Sequence, residues 1–356
     1  MLTYARADKL IRSGNTIQGV QFSDMLSGKT YAAHGAVTIN VAGPWVDLVL
    51  GDQSQRPLIG GTKGSHIVVG AFPGAPSSAL YIEAARDRRP YFVVPWNGQY
   101  LIGTTDTRYH GDLDRVVPGE DEIRYLIDET NRVIPRAQLT RNTLHYAYAG
   151  VRPLPYDDKT RAAGITRRHI VHDHAPQSEG LISIVGGKIT TYRRLAQEVI
   201  DLSFHKLKRV APRCTTASIP LPGATGVDWP AFAATFRDTC GLEPASADRL
   251  LQLYGVMAWE IIRIVRVEPE LRRSFDAYSG ALGAEIVYAI RQELAHTLSD
   301  ILLRRTMVGL GPDAGLNALE PAARIAISYA GWNEDYATQN VEMYRTFVQR
   351  TTRLSR

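Results

Sequence analysis

The sequence predicts a mixed α/β and α+β fold in three units: an incomplete α/β unit, an antiparallel β unit and an all-helical C-terminal unit. Three observations predict it. Two buried strand-like runs, 36–41 and 181–185, each end on glycines that lead into a helix, as parallel α/β strands do. Between them Asn97-Gly98 joins two strand-like runs, the strongest short signal of an antiparallel hairpin. Beyond residue 228 the apolar spacing is helical throughout.

Residues 2–11 and 16–22 read as strands joined by a turn at Gly14-Asn15, with a second turn at Ser27-Gly28-Lys29. The buried strand 36–41 passes through Ala42-Gly43-Pro44-Trp45 into a short helix, 45–50. From 57 to 148 the pattern is mainly antiparallel β, with the hairpin 91–96 and 99–104 at its centre. One helix interrupts it, 121–133, with acids in its first turn and Arg132 near its end. A strand at 168–173 precedes the buried strand 181–185. Gly186-Gly187 then turns the chain into a helix over 188–208, where Ile189, Tyr192, Leu195, Val199 and Leu202 share a face. Prolines and turn residues mark a linker over 211–227. In the remainder the longest helix is expected over 283–308. Ile286, Ile290, Leu294, Thr297 and Ile301 lie on one face of it, and Gly309 ends it.

The chain has 356 residues, 44% apolar and 22% charged, which is enough for a sizeable core. Its net charge of +5 suits a phosphorylated substrate or an anionic surface. No dense Lys/Arg block with interleaved aromatics argues for nucleic acid. No apolar run reaches the ~18 residues of a membrane span, and the opening MLTYARADKLI lacks the order of a signal peptide. Any membrane contact is therefore expected to be peripheral. Cys214 and Cys240 have no metal spacing and read as packing residues of a reducing compartment, the cytoplasm.

Several short motifs carry chemistry. In Val185-Gly186-Gly187-Lys188-Ile189-Thr190-Thr191 a strand meets a helix start through two glycines, which lets a flat or anionic ligand approach free backbone N–H groups. A plain tight connection uses the same residues. Gly150-Val151-Arg152-Pro153-Leu154-Pro155 holds an arginine in extended backbone, where it can fork onto a phosphate or carboxylate or simply face solvent. In Thr62-Lys63-Gly64-Ser65-His66, His66 can take a hydroxyl proton near neutral pH or serve as a hydrogen-bonded edge residue. Gly103-Thr104-Thr105-Asp106 closes the hairpin and either lines a pocket or caps a turn. His172 and His174 share a strand face, but no third metal ligand stands out.

Taken in chain order, Asn40-Val41-Ala42-Gly43-Pro44-Trp45, Lys63-Gly64-Ser65-His66, the hairpin to Asp106, Gly150-Val151-Arg152-Pro153 and the stretch from Gly186 to Arg193 resemble the aerobic-type, FAD-dependent glycerol-3-phosphate dehydrogenases. These belong to the D-amino-acid-oxidase-like flavoprotein superfamily. The run 285–306 looks like that family's helical C-terminal domain. The resemblance implies a partial FAD-binding domain over 1–52 and 146–208, an antiparallel β substrate-binding cap over 53–145 and a helical domain over 209–356. It implies that His66 is the catalytic base, that Arg152 and Lys188 face the substrate at the flavin, and that Arg167 contacts its phosphate, with Thr105 a further substrate contact. Ala42, Gly43, Gly186, Gly187, Lys188, Ile189 and Thr190 would meet FAD. The implied reaction moves a hydride from C2 of sn-glycerol 3-phosphate to flavin N5 and yields dihydroxyacetone phosphate. Electrons then pass to quinone at the inner face of the cell membrane, or to oxygen in the oxidase branch. The resemblance also allows a homodimer.

One family feature is missing. No Gly-x-Gly-x-x-Gly segment follows a first strand; Gly14, Gly19, Gly28 and Gly35 have the wrong spacing. The expectation is an N-terminally truncated chain that holds little FAD by itself and is inactive or incomplete. The alternative is a non-catalytic fragment or binding module that keeps the cap and the helical domain.

Overall fold

The computed structural model describes residues 1–51, 56–158 and 164–352, so the boundary expected at 52–53 lies outside the described residues. Strands β1 (Ala5–Ser13), β2 (Thr16–Asp24) and β3 (Thr30–His34) form an antiparallel meander. Gly14, at φ +55°, makes the first turn. The sequence pattern does not show β3, because all five of its residues are exposed and nothing alternates. Strand β4 (Thr38–Asn40) forms within the run expected to be buried over 36–41, but only Asn40 is buried and Ala36 and Val41 are exposed; helix α1 (Val46–Leu50) follows it.

The central layer is one six-stranded sheet. It contains β5 (Thr62–Val69), β6 (Leu80–Glu83), β7 (Pro90–Trp96), β8 (Gln99–Gly103), β9 (Thr107–Arg108) and β10 (Leu144–Arg152). The order is β10-β5-β8-β7-β6, with β9 also on β5. Asn97 and Gly98 turn β7 into β8 at φ +49° and +68°, the left-handed pair that a two-residue hairpin needs. Helix α2 (Glu120–Val133) covers one face of the sheet. Ile123 and Leu126 are buried there against Ile67, Val93 and Ile102, each worth ~1.5–3 kcal/mol of apolar burial. Because β10 pairs with β5 along its whole length, the sheet runs through Arg152, past the 145 boundary expected for the β unit.

Strands β11 (Ile170–Asp173) and β12 (Leu181–Val185) complete the third sheet, in the order β11-β12-β4. β12 pairs with β4 in parallel, Ser183 opposite Asn40. Their carboxyl ends, Gly186-Gly187 and Ala42-Gly43, therefore lie side by side. This is where open parallel sheets bind ligands. Helix α3 (Tyr192–Lys206) starts after one 3-10 turn, Ile189–Thr191, and Val199 packs it on Ile182 and Ile184.

Helices α4 (Trp229–Thr239), α5 (Pro244–Tyr254), α6 (Ala258–Val267), α7 (Gly283–Gln292), α8 (Leu319–Ala330) and α9 (Glu334–Thr351) make up the C-terminal unit. The single helix expected over 283–308 does not form. α7 ends at Gln292, Leu294 takes φ +57° and is half exposed, and a separate π-helical turn runs Asp300–Arg305. Asp300 restarts the chain there by accepting the backbone N–H groups of His296 and Thr297. The unit docks on the sheet through polar contacts. Gln99 Nε2 and Tyr146 Oη both donate to the Leu310 carbonyl at 2.9 Å, and Tyr278 Oη donates to Asn97 O at 2.8 Å. Cys214 and Cys240 are free thiols, and no described helix is long and apolar enough to cross a membrane.

Candidate active site

The register of the central sheet builds the site. Thr62, Gly64 and His66 alternate onto one face of β5, and their partners on β10 are Arg152, Gly150 and Tyr148. His66 stacks on Tyr148 with centroids 5.2 Å apart and planes 15° apart. On its other side stands Gly103 of β8, where a Cβ would overlap the imidazole. Gly64 does the same for Arg152, since a Cβ there would collide with Nη1 and Nη2 of the guanidinium. The two glycines thus leave the space that the histidine and the arginine occupy.

Arg152 is fixed on three sides. Its Nη1 meets Asp106 Oδ1 at 3.3 Å, and its Nη2 donates to Thr104 Oγ1 at 3.0 Å and to Thr105 O at 3.3 Å. Arg167 reaches the other carboxylate oxygen, Nη2 to Oδ2 at 3.8 Å. Arg89, which the motifs do not single out, donates to the Asp106 backbone carbonyl. Burial lowers the pKa of Arg152; Asp106 opposes this, while Arg167 and Arg89 add to it. Burial, then the charge of Arg152, pushes His66 down to about 4, so the ring is neutral at pH 7. Thr62 Oγ1 and His66 Nδ1 are buried on this face with no hydrogen-bond partner among the described residues.

Behind the face lies a closed network. Lys63 Nζ is 2.7 Å from Glu122 Oε2, Thr105 Oγ1 donates to Glu122 Oε1 at 2.6 Å, and Ser65 N donates to Thr105 Oγ1 at 2.9 Å. Burial alone would raise Glu122, but Lys63, Thr105 and the Gly119 N–H outweigh it and hold its carboxyl below the usual range. Thr105 therefore differs from expectation. Its hydroxyl is buried and committed to Ser65 and Glu122, while Thr104 faces the arginine.

The other wall is backbone. Gly43, Gly186 and Gly187 take φ of +58°, +74° and +99° at the paired ends of β4 and β12. A Cβ at Gly43 would meet nothing within 4 Å, and one at Gly186 would press on Arg168 O and the Pro155 ring. The Gly186 turn thus packs against the segment that leaves Arg152. Buried Asn40 shapes the neighbouring loop, donating to Val46 O and accepting from Ala42 N. Lys188, Ile189 and Thr190 are exposed, as is Val41. The open space at Gly43 and the exposed apolar side chains of Val41 and Ile189 leave room for a planar ring system. Elsewhere, His172 and His174 meet edge to face at 4.5 Å, and His174 Nε2 pairs with Ser183 Oγ at 2.8 Å. No group of three metal-binding side chains occurs among the described residues.

A sequence profile described as FAD dependent oxidoreductase matches residues 1–193, and one described as the C-terminal domain of alpha-glycerophosphate oxidase matches 214–337. The chain belongs to the FAD dependent oxidoreductase family. Within this flavoenzyme family it is 44% identical over 365 residues to a glycerol-3-phosphate dehydrogenase of Synechocystis sp., covering 98% of this chain and 66% of that one. A glycerol-3-phosphate dehydrogenase of Mycobacterium leprae is 30% identical, with 96% of this chain and 58% of that one covered. The glycerol-3-phosphate dehydrogenase of Bacillus halodurans, solved with FAD, superposes with a TM-score of 0.79 at 26% identity. It covers 98% of this chain and 69% of that chain. The chain thus spans 58% to 66% of the length of these curated relatives.

Proposed function

We propose that this flavoenzyme chain forms the substrate half of a glycerol-3-phosphate dehydrogenase, which oxidises sn-glycerol 3-phosphate to dihydroxyacetone phosphate. The observation that carries this reading is the pairing, on one sheet face, of neutral His66 with Arg152, whose guanidinium lies over Gly64 and against Asp106. Arg152 and Arg167 hold the anionic end of the substrate through charge-assisted hydrogen bonds. His66, stacked on Tyr148 so that its ring plane is fixed, accepts the proton of the C2 hydroxyl. Ala42, Gly43 and the stretch from Gly186 to Thr190 would hold the flavin ring, with Lys188 at its edge. When bound, that ring supplies the two-electron acceptor.

Quinone as final acceptor and peripheral attachment to the inner face of the membrane belong to the same reading. The net charge of +5 supports attachment to an anionic surface. The test is direct. The purified chain is given FAD and sn-glycerol 3-phosphate, and dye reduction and dihydroxyacetone phosphate are followed. Substrate-dependent reduction is expected once the flavin is held. Saturable substrate binding with no reduction, at saturating flavin, would instead support a non-catalytic binding module.

A further inference from the structure

Asp106 has a place in the site that neither the motifs nor the comparisons assign. It is a carboxylate only 5% exposed, and two arginines from separate segments converge on it. Arg152 comes from the end of β10, and Arg167 from the loop before β11. Each takes one carboxylate oxygen, at 3.3 and 3.8 Å. Two guanidiniums brought this close repel one another, and Asp106 is the acid set between them.

The carboxylate is itself held still. Arg89 donates to its backbone carbonyl, and its neighbour Thr105 is locked between Ser65 N and Glu122. Arg89 also faces Asp87 at 3.6 Å, so its own charge is offset. What remains around Asp106 is two cations for one anion. The side chain of Arg167 is half exposed, which leaves donors free to face a ligand.

We propose that Asp106 is a positioning residue, a buried carboxylate that holds Arg152 and Arg167 side by side as a cradle for a phosphate monoester. The inference rests on the phosphate-binding reading above. It assigns the cradle's geometry to a residue that never touches the substrate. The excess positive charge favours a dianion over a neutral polyol, because among the described residues the two arginines share the one Asp106 carboxylate.

The experiment uses the full chain, titrated calorimetrically with inorganic phosphate and with sn-glycerol 3-phosphate. Wild type, D106N, R152Q and the double variant are compared, each with its melting curve. D106N and R152Q should each weaken both ligands on the order of tenfold. In the R152Q background, D106N should cost clearly less than it does in wild type, because only Arg167 is then left for Asp106 to position. Should D106N lose its cooperative melt, D106E, which keeps the charge and shifts its place by one methylene, carries the same test and should weaken phosphate several-fold. Binding by D106N or D106E within about twofold of wild type overturns the positioning role. So do D106N and R152Q losses that simply add. If wild type binds neither ligand, the phosphate-binding reading itself fails, and the positioning role goes with it.

Discussion

The two walls of the candidate site, one proposed for substrate and one proposed for flavin, are built by different means. The substrate wall is side chain on sheet: His66, Arg152 and Asp106 are fixed by register, by two glycine clearances and by the Lys63–Glu122–Thr105 network behind them. The flavin wall is backbone: three glycines with positive φ, flanked by exposed Val41, Leu48 and Ile189. The core under it is small, Ile17, Val46, Leu50 and Leu181 in one cluster and Ile182, Ile184 and Val199 in another. Groups that choose a substrate must be held to a fraction of an ångström by a satisfied second layer. A seat for a flat ring needs only shape and open N–H groups. The proposed substrate wall is therefore preorganised within this chain, while the proposed flavin wall leaves apolar side chains exposed.

This contrast can be broken in several places. The largest effect is expected at His66. H66N should leave substrate affinity within a few-fold of wild type and lower turnover by ~10²–10⁴, measured once the flavin-loaded enzyme turns over. Equal loss in affinity and turnover would remove its role as base. Next is G64A. A methyl group there displaces the Arg152 guanidinium, and calorimetry should show affinity for glycerol 3-phosphate falling on the order of tenfold, as in R152Q. An unchanged affinity would mean that Arg152 is not held where the structure places it.

A cut made far from both walls sharpens the comparison. Ile286 of α7 is fully buried in the C-terminal unit, so I286A should destabilise it by ~2–5 kcal/mol in a denaturant melt while phosphate affinity stays unchanged. Loss of both would tie the helical unit to the cradle. The pH dependence is milder. His66 and His174 both fall to about 4, below the 6.5 of the unfolded chain, so the unfolded state binds more protons between those values. Stability should be full above pH 6.5 and decline towards pH 4, each histidine contributing less than the ~1.4 kcal/mol per pH unit of a whole proton. H66N should flatten that decline, and an unchanged slope would contradict the burial of the imidazole. The smallest effect is expected on the flavin wall. Ile189 is 86% exposed, so I189S should change stability by under ~0.5 kcal/mol while weakening flavin, read by fluorescence quenching.

Much of this was legible in the sequence, for stated reasons. Asn97-Gly98 marks the hairpin because only residues tolerant of left-handed backbone fit there. His66 and Arg152 stand out as reactive types in ordered motifs, Arg167 entered only through the family resemblance, and the structure brings Arg152 and Arg167 onto one carboxylate. What joins them was not legible. The clearance at Gly64 and Gly103 depends on which residue sits opposite across the sheet, and register is not written in either strand alone. Arg89 stands among Arg86, Arg88 and other charged residues in a turn, with nothing local to separate it from a solvated neighbour. Thr105 has the composition of a substrate contact, but burial gives its hydroxyl to Glu122. The helix expected over 283–308 failed because helical spacing of apolar residues persists across a break that the Leu294 backbone and the Asp300 cap impose.

If the proposed substrate wall is preorganised, it holds its ligand before any flavin is seated. Calorimetric titration of the flavin-free full chain with sn-glycerol 3-phosphate tests it most directly, with R152Q as the companion. Saturable one-site binding is expected, weakened on the order of tenfold by R152Q while the melting curve holds. Absence of binding in the flavin-free wild type, or equal binding by R152Q, would contradict it.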